Sequence, residues 1–308
     1  MRTGWFDRNA GYFMLIPAML ASVFVHLYPT LDAIRMSFFD IQLLRPGRPF
    51  IGFGNYITVL SHPATTRVLG NTIFWTILSL SIGSIIGLYV AVKLNRPYPG
   101  RGFLRALFLV PWVTPPYIVA LVFRMILSET FSPINTFLLR TGLRQTSISF
   151  LGNIEPILFG LTSVPMMTLI FINIWSMFSF MMVMFLAGLQ TIDPSLYEAA
   201  EIDGATRSQM FFRITLPLLL PVVETVILLQ GIWQFNSFNL SFLIAGGGPL
   251  NLTELASVRV YMEAFVNFRY GTAAALSVIM LIIIFIPALW YMRRSLKFYD
   301  AHAGRGRG

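Results

Sequence analysis

Residues 198 to 221 read EAAEIDGATRSQMFFRITLPLLLP, and they stand between two long apolar runs. Glu198, Glu201, Asp203, Arg207 and Arg213 all fall within this stretch. At the centre of a membrane-spanning helix each charge would cost about 2.5 to 3.5 kcal/mol, so the stretch belongs outside the lipid core. The rest of the chain makes that placement decisive. It has 308 residues, is 56% hydrophobic and only 11% charged, with a mean hydropathy of +0.71. A soluble domain carries about 25% charged residues. Too few charges remain to cover two soluble surfaces, and the composition points to a single polytopic, all-α membrane domain.

Working outward from 198, six runs are apolar and long enough to cross about 30 Å of hydrocarbon at about 1.5 Å per residue. They cover roughly 11 to 34, 71 to 94, 103 to 127, 156 to 188, 218 to 245 and 273 to 292. The first run is too long for a cleaved secretory signal and reads as a retained span. An even number of spans puts both termini on one side. Of the 22 basic residues, Arg2, Arg8, Lys93, Arg96, Arg101, Arg105, Arg207, Arg213, Arg293, Arg294, Lys297, Arg305 and Arg307 fall on that side. The excess of positive charge marks it as the cytoplasm. The expected organisation is a cytoplasmic N-terminus over 1–10, a six-span domain over 11–292 with a cytoplasmic loop near 189–217, and a basic tail over 293–308. A net charge of +9 scattered over membrane loops suits lipid headgroups and topology rather than nucleic acid. With no cysteine, disulfides, thiolate metal sites and cysteine nucleophiles are excluded.

The loop itself has helix punctuation. Asp193 and Pro194 predict a helix start, with an overlapping capping box from Ser195 to Glu198. Gly204, suited to a positive φ, ends or bends that helix, and a second piece carries Met210, Phe211, Phe212 and Ile214 toward a stop at Pro217. The small Ala199, Ala200 and Ala205 allow another surface close to the backbone, and Glu198, Glu201 and Asp203 form a polar rim. A solvated hairpin that only reverses the chain is the simpler alternative, but a reversal needs only a few residues.

The pattern EAA, three residues, Gly, nine residues, I-x-L-P occurs without a gap as Glu198-Ala199-Ala200, Gly204 and Ile214-Thr215-Leu216-Pro217. It resembles the cytoplasmic loop of permease subunits in binding-protein-dependent ABC importers. YPTLDAIRMSFFD at 28 to 40, GFGNYITVL at 52 to 60, RALFLVPWVTPP at 105 to 116 and AGGGPLNLTELASVRVYMEAF at 245 to 265 look like the carbohydrate-uptake branch of that family. The Gly-Gly-Gly-Pro loop is similar to that of the larger maltose permease chain. The resemblance implies a type I importer permease fold in a bacterial inner membrane. It implies as partners a second homologous permease, two copies of an ATPase that bind ATP and Mg, and an extracytoplasmic sugar-binding protein. It also implies that Glu198, Ala199, Ala200, Asp203, Gly204, Ala205 and Pro217 form the surface that docks on the ATPase.

The residues give this chain no motor of its own. Its two lysines, Lys93 and Lys297, follow no glycine, so there is no G-x-x-x-x-G-K-[ST] phosphate loop. Gly246-Gly247-Gly248-Pro249 falls on the outer side and reads as a loop breaker. His26, His62 and His302 are far apart, and neither H-E-x-x-H nor G-x-S-x-G occurs. The expectation is a non-catalytic transport subunit with no metal and no cofactor of its own.

Polar groups inside spans are costly and are functional candidates by default. At about 100° per residue, Phe235, Asn236 and Asn239 share a stripe of the fifth span, and Asn173, Ser176, Met177 and Phe180 share one on the fourth. Amides bond hydroxyls while rings cover the apolar C–H face, a pairing that suits a sugar. Hydrogen bonding between spans with aromatic packing is the structural alternative. The resemblance aligns QFNSFNLSF at 234 to 242, NIWSMFSF at 173 to 180 and PWVTPP at 111 to 116 with sugar-contacting segments, and so points to Trp112, Pro116, Ser176, Met177, Phe180, Phe235, Asn236 and Asn239. The family often has tyrosine or glycine where Trp112, Phe180 and Met177 stand here, which leaves the sugar open. Arg124 is expected to snorkel to headgroups, and Glu224 to form an ion pair near the inner face. An ion-coupled secondary carrier is the competing class; it would need a paired mid-span carboxylate.

Overall fold

The computed structural model describes the backbone of residues 5–158 and 160–303, with side chains over 14–158 and 160–294. Arg2, Arg305 and Arg307, from the expected cytoplasmic ends, lie outside the described residues. Among the described residues, five helices are long and apolar enough to cross a membrane, and there are six if a bent pair counts as one span. The chain divides into two compact units, 1–65 with 259–283, and 66–258 with 284–308.

In the first unit, α1 (Trp5–Ser22) runs through a π-helical turn, Val23–Leu27, into α2 (Tyr28–Met36). From Met14 to Met36 none of it is buried within the chain. The short α3 (Gly54–Ser61) is tied back by Asn55, whose Nδ2 donates to the carbonyls of Ser37 and Phe39, both at 2.9 Å. Gly271 admits this crossing, because a Cβ there would stand 2.3 Å from the Phe39 oxygen.

The second unit begins within α4 (Pro63–Asn95), which outruns the expected 71–94 at its N-terminal end. The run at 103–127 forms two helices, α5 (Arg101–Val113) and α6 (Pro116–Ile126), bent by 89°. The reason is local: Pro115 and Pro116 supply no N–H, and the first forces Thr114 into an extended conformation, ψ 125°. After α7 (Pro133–Arg140), residues expected to open the fourth span instead form a two-strand hairpin, β1 (Pro156–Ile157) with β2 (Thr162–Ser163). The span, α8 (Val164–Leu189), starts where Ser163 Oγ accepts the Met166 amide and Pro165 occupies the first turn.

Helices α9 (Ser195–Ile202) and α10 (Arg207–Met210) form the hairpin expected on the cytoplasmic side. A π-helical turn, Phe211–Thr215, then joins α10 to α11 (Leu216–Phe235). The expected stop at Pro217 is therefore corrected. The wide turn before it makes room for the ring, and the fifth span is continuous from Arg207 to Phe235. At its other end this span stops at Asn236 rather than 245, and the chain resumes in a π-helical turn, Ser241–Ala245. Beyond α12 (Ala256–Tyr261) and a further π turn, Met262–Val266, α13 (Tyr270–Ala303) carries the sixth span into what the sequence suggested was a tail.

The core of the second unit surrounds α8, whose most apolar window is 67% buried. Met181, Met182, Phe185 and Leu189 pack with Ala91 and Leu94 of α4 and with Leu219 and Val226 of α11. Glycines set the helix spacing. A Cβ at Gly87 would stand 3.0 Å from Met181 Cβ, and one at Gly188 would stand 2.7 Å from Leu219 Cδ1. Small residues at such crossings let backbones approach where lipid supplies no hydrophobic drive.

Candidate functional site

Two clefts among the described residues of the second unit each measure about 580 Å³. One adjoins the α9–α10 hairpin. There Asp193 Oδ1 accepts the Ser195 amide at 2.9 Å and starts α9. That amide, followed by the Ser195 hydroxyl, holds the fully exposed Asp193 carboxyl below its ordinary range. The capping box expected from Ser195 and Glu198 does not form, since α9 has no other side-chain cap. At the far end Gly204 has φ +76°. The Gly204 amide donates to Glu201 O at 3.1 Å and the Ala205 amide to Ala200 O at 2.9 Å, the two bonds of a Schellman stop. Thr206 opens α10 with a reciprocal capping box to Gln209.

Glu198, Ala199, Glu201, Asp203 and Gly204 are exposed, Ala200 and Ala205 half-buried, and Pro217 exposed at the base of the fifth span. A Cβ built at Gly204 meets nothing within 4 Å, so the space over the turn is open. Sequence reasoning missed two residues. Ile202 is 87% exposed beside Gly204, an apolar side chain presented at the tip of the hairpin. Tyr197 Oη lies 3.0 Å from Thr215 Oγ1 and ties α9 to the π turn that begins the fifth span. The cleft between these arms and the end of α4 is lined by Asn95, Arg96, Tyr197, Glu201 and Arg207 among others.

The other cleft opens at the C-terminal end of α11. Pro116, Asn173, Ser176, Trp233, Asn236 and Asn239 line it, and no ionisable side chain does. Phe180 joins an aromatic row beside it, its ring 5.4 Å from Trp112 and 5.3 Å from Trp233. Trp112, Pro116, Asn236 and Asn239 are exposed, and Ser176 and Phe180 half-buried. Two of the residues singled out from the sequence stand elsewhere. Phe235 is buried because α11 ends there, so the 100° progression that grouped it with Asn236 and Asn239 does not continue past it. Met177 is buried against Gly83 of α4, where a Cβ would stand 3.4 Å from its methyl carbon.

From the wall of the cleft, which Asn173 and Gln234 also line, a polar network that the sequence did not reveal runs into the interior. Gln234 Oε1 accepts from Asn173 Nδ2 at 2.8 Å and from the Trp75 indole at 3.3 Å. Asn173 Nδ2 also donates to Ser79 Oγ at 3.0 Å, and Gln234 Nε2 donates to Gln230 Oε1 at 3.4 Å. All five residues are buried. Each bond crosses between helices or runs along one, which satisfies amides that would be expensive left unpaired in hydrocarbon. Arg124 is exposed near the end of α6 and lines neither cleft. Glu224 also lines neither and pairs with Arg294 at 2.7 Å, beside a 2.7 Å contact between the Thr225 and Tyr291 hydroxyls. Among the described residues no group of three or more His, Asp or Glu side chains is placed to hold a metal ion.

Comparison with known proteins accords with this arrangement. The chain is 30% identical over 288 residues to the trehalose/maltose transport system permease protein MalF of Thermococcus litoralis, covering 93% of this chain and 94% of that one. It is 31% identical over 273 residues to the sulfoquinovosyl glycerol transport system permease protein SmoG of Agrobacterium fabrum, covering 87% and 85%. Among solved structures, a bacterial ABC transporter involved in the import of the acidic polysaccharide alginate contains a chain with a TM-score of 0.77 and 26% identity, covering 94% and 97%. The family described as "Binding-protein-dependent transport system inner membrane component" matches residues 83–294, and the chain belongs to that family.

Proposed function

We propose that this permease subunit forms, with a second homologous permease, an alternating-access path for a sugar or sugar derivative that an extracytoplasmic binding protein delivers. Two copies of an ATPase dock on the cytoplasmic hairpin and supply the energy; ATP and Mg reside there, and this chain carries no cofactor. Both termini face the cytoplasm, as the basic residues suggest.

The observation that carries this reading is the uncharged cleft, where Asn236, Asn239 and Ser176 stand beside the Trp112, Phe180 and Trp233 rings. Amides and hydroxyls match the hydroxyls of a sugar, and aromatic faces match its C–H faces. The competing class, an ion-coupled carrier, finds no support at the cleft, because no carboxylate lines it and the Glu224–Arg294 pair stands away from it. Gly204 and the Schellman stop support the docking role by holding Ala199, Ala200 and Ile202 at an open turn.

The test is uptake of labelled sugars by proteoliposomes holding the assembled transporter and its binding protein. Asn236→Ala and Trp112→Ala are expected to raise KM without weakening association with the ATPase. Unchanged kinetics in both would remove the cleft from the path.

A further inference from the structure

We propose that Trp75 and Gln234 are positioning residues that fix the hydrogen-bonding polarity of the cleft, so that Asn173 offers cargo a carbonyl acceptor and the path favours hydroxyl donors there over anionic groups. The inference rests on the sugar-import reading and sharpens it. It begins with Trp75, which is fully buried and whose indole nitrogen can only donate. The atom facing it at 3.3 Å must therefore be the oxygen of Gln234 and not its nitrogen. That same oxygen stands 2.8 Å from the terminal atom of Asn173, which must then be a donor, Nδ2. The second Nδ2 proton is shared by Ser79 Oγ at 3.0 Å and Met177 Sδ at 3.6 Å. Both donors of Asn173 are thus committed to protein acceptors.

The carbonyl Oδ1 is what remains, and Asn173 lines the cleft. A carbonyl there accepts from a sugar hydroxyl and repels a carboxylate, sulfonate or phosphate oxygen, which has no proton to give. Gln234 Nε2, turned away from Trp75, meets Gln230 Oε1 at 3.4 Å and closes the chain of bonds. One donor-only side chain on α4 thereby sets the orientation of two amides on α11 and α8.

Two arms test the relay and the reading beneath it separately. In the first, the assembled complex, with only this chain carrying [15N]asparagine, is placed in lipid bilayers and side-chain amide exchange is followed by NMR. The Asn173 amide, identified by its loss in Asn173→Asp, is expected to have two slowly exchanging protons. One should become fast in Trp75→Phe and in Gln234→Leu, and stay slow in Gln234→Glu, whose carboxyl oxygen still accepts. A packing role predicts the opposite order, with Leu better tolerated than a carboxyl. Two fast protons in the unaltered chain, or no change in Trp75→Phe and Gln234→Leu, would overturn the relay.

The second arm measures trehalose uptake. Losing the oriented acceptor should raise KM roughly two- to tenfold at unchanged kcat in Trp75→Phe and Gln234→Leu, with Gln234→Glu near the starting value. A KM unmoved while the amide loosens would overturn the role in cargo selection. A transporter that takes up no sugar at all would count against the import reading, and the exchange arm would still judge the relay.

Discussion

The two clefts of the second unit have the same volume and opposite linings. The one beside the hairpin is bordered by Arg96, Arg207 and Glu201 as well as Tyr197, whereas the one at the end of α11 has no ionisable side chain. On the proposed reading, charge rather than size separates the cleft beside the docking surface from the cleft that takes cargo. Charged walls open to water cost little solvation and favour a protein surface of complementary pattern. A wall of amides and rings within the bundle avoids the several kcal/mol of a buried unpaired ion and leaves short-range hydrogen bonds to select what passes.

The largest effect should come from the hairpin. Gly204→Leu places a side chain where φ is +76°, at a cost of about 1–2 kcal/mol in the left-handed region, and fills the open space over the turn. Sugar uptake by the assembled transporter is expected to vanish although the spans insert, as labelling of exposed loops would show. Next, Trp233→Ala removes the 5.3 Å ring partner of Phe180 and should raise the KM for uptake about tenfold while leaving ATPase association unchanged. If Trp233→Ala instead dissociates the complex, the division of labour between the clefts fails.

A smaller change is expected from Tyr197→Phe, which deletes only the bond to Thr215. The loss of about 1 kcal/mol should loosen α9 from the π turn, measurable as faster amide exchange in residues 195–202, with uptake reduced but present. The smallest concerns Asp193. Its carboxyl is held below the ordinary value, so its capping is complete above the unfolded pKa, near about 4, and is lost as pH falls through the lower folded value. Between pH 5 and 8 the protection of α9, corrected for intrinsic exchange, should be flat for this reason, and it should fall only in acid; Asp193→Asn should abolish that fall.

Much of this was legible in the chain. Gly204 marked the turn, because the need for a positive φ is local and acts through a single residue; the expectation that all of 198–221 stands apart from the spans gives way to a fifth span that already begins at Arg207. The breaks inside spans were less legible. Hydropathy averages over a window, so the 89° bend at Thr114, the hairpin at 156–163 and the end of α11 at Asn236 vanished into apolar runs. Pro115 carried a local signal for the first, but nothing in the sequence near Pro217 distinguishes a stop from a helix relieved by a π turn. The Trp75, Gln234 and Asn173 network was illegible for a different reason: its members are 61 and 159 residues from Gln234 and meet only when α4, α8 and α11 pack.

The hydropathy of a helix was equally silent about its neighbours. Met14–Met36 and α8 are both strongly apolar, yet one is unburied within the chain and the other is the centre of the core.

The central claim, that the hairpin meets the ATPase while the amide cleft does not, is open to one direct measurement. The chain has no cysteine, so Ile202→Cys and Ser237→Cys each give a single thiol for cross-linking in the assembled transporter. The account predicts an adduct with the ATPase from position 202, altered by ATP, and none from position 237. No ATPase adduct at 202, or one at 237, would contradict it.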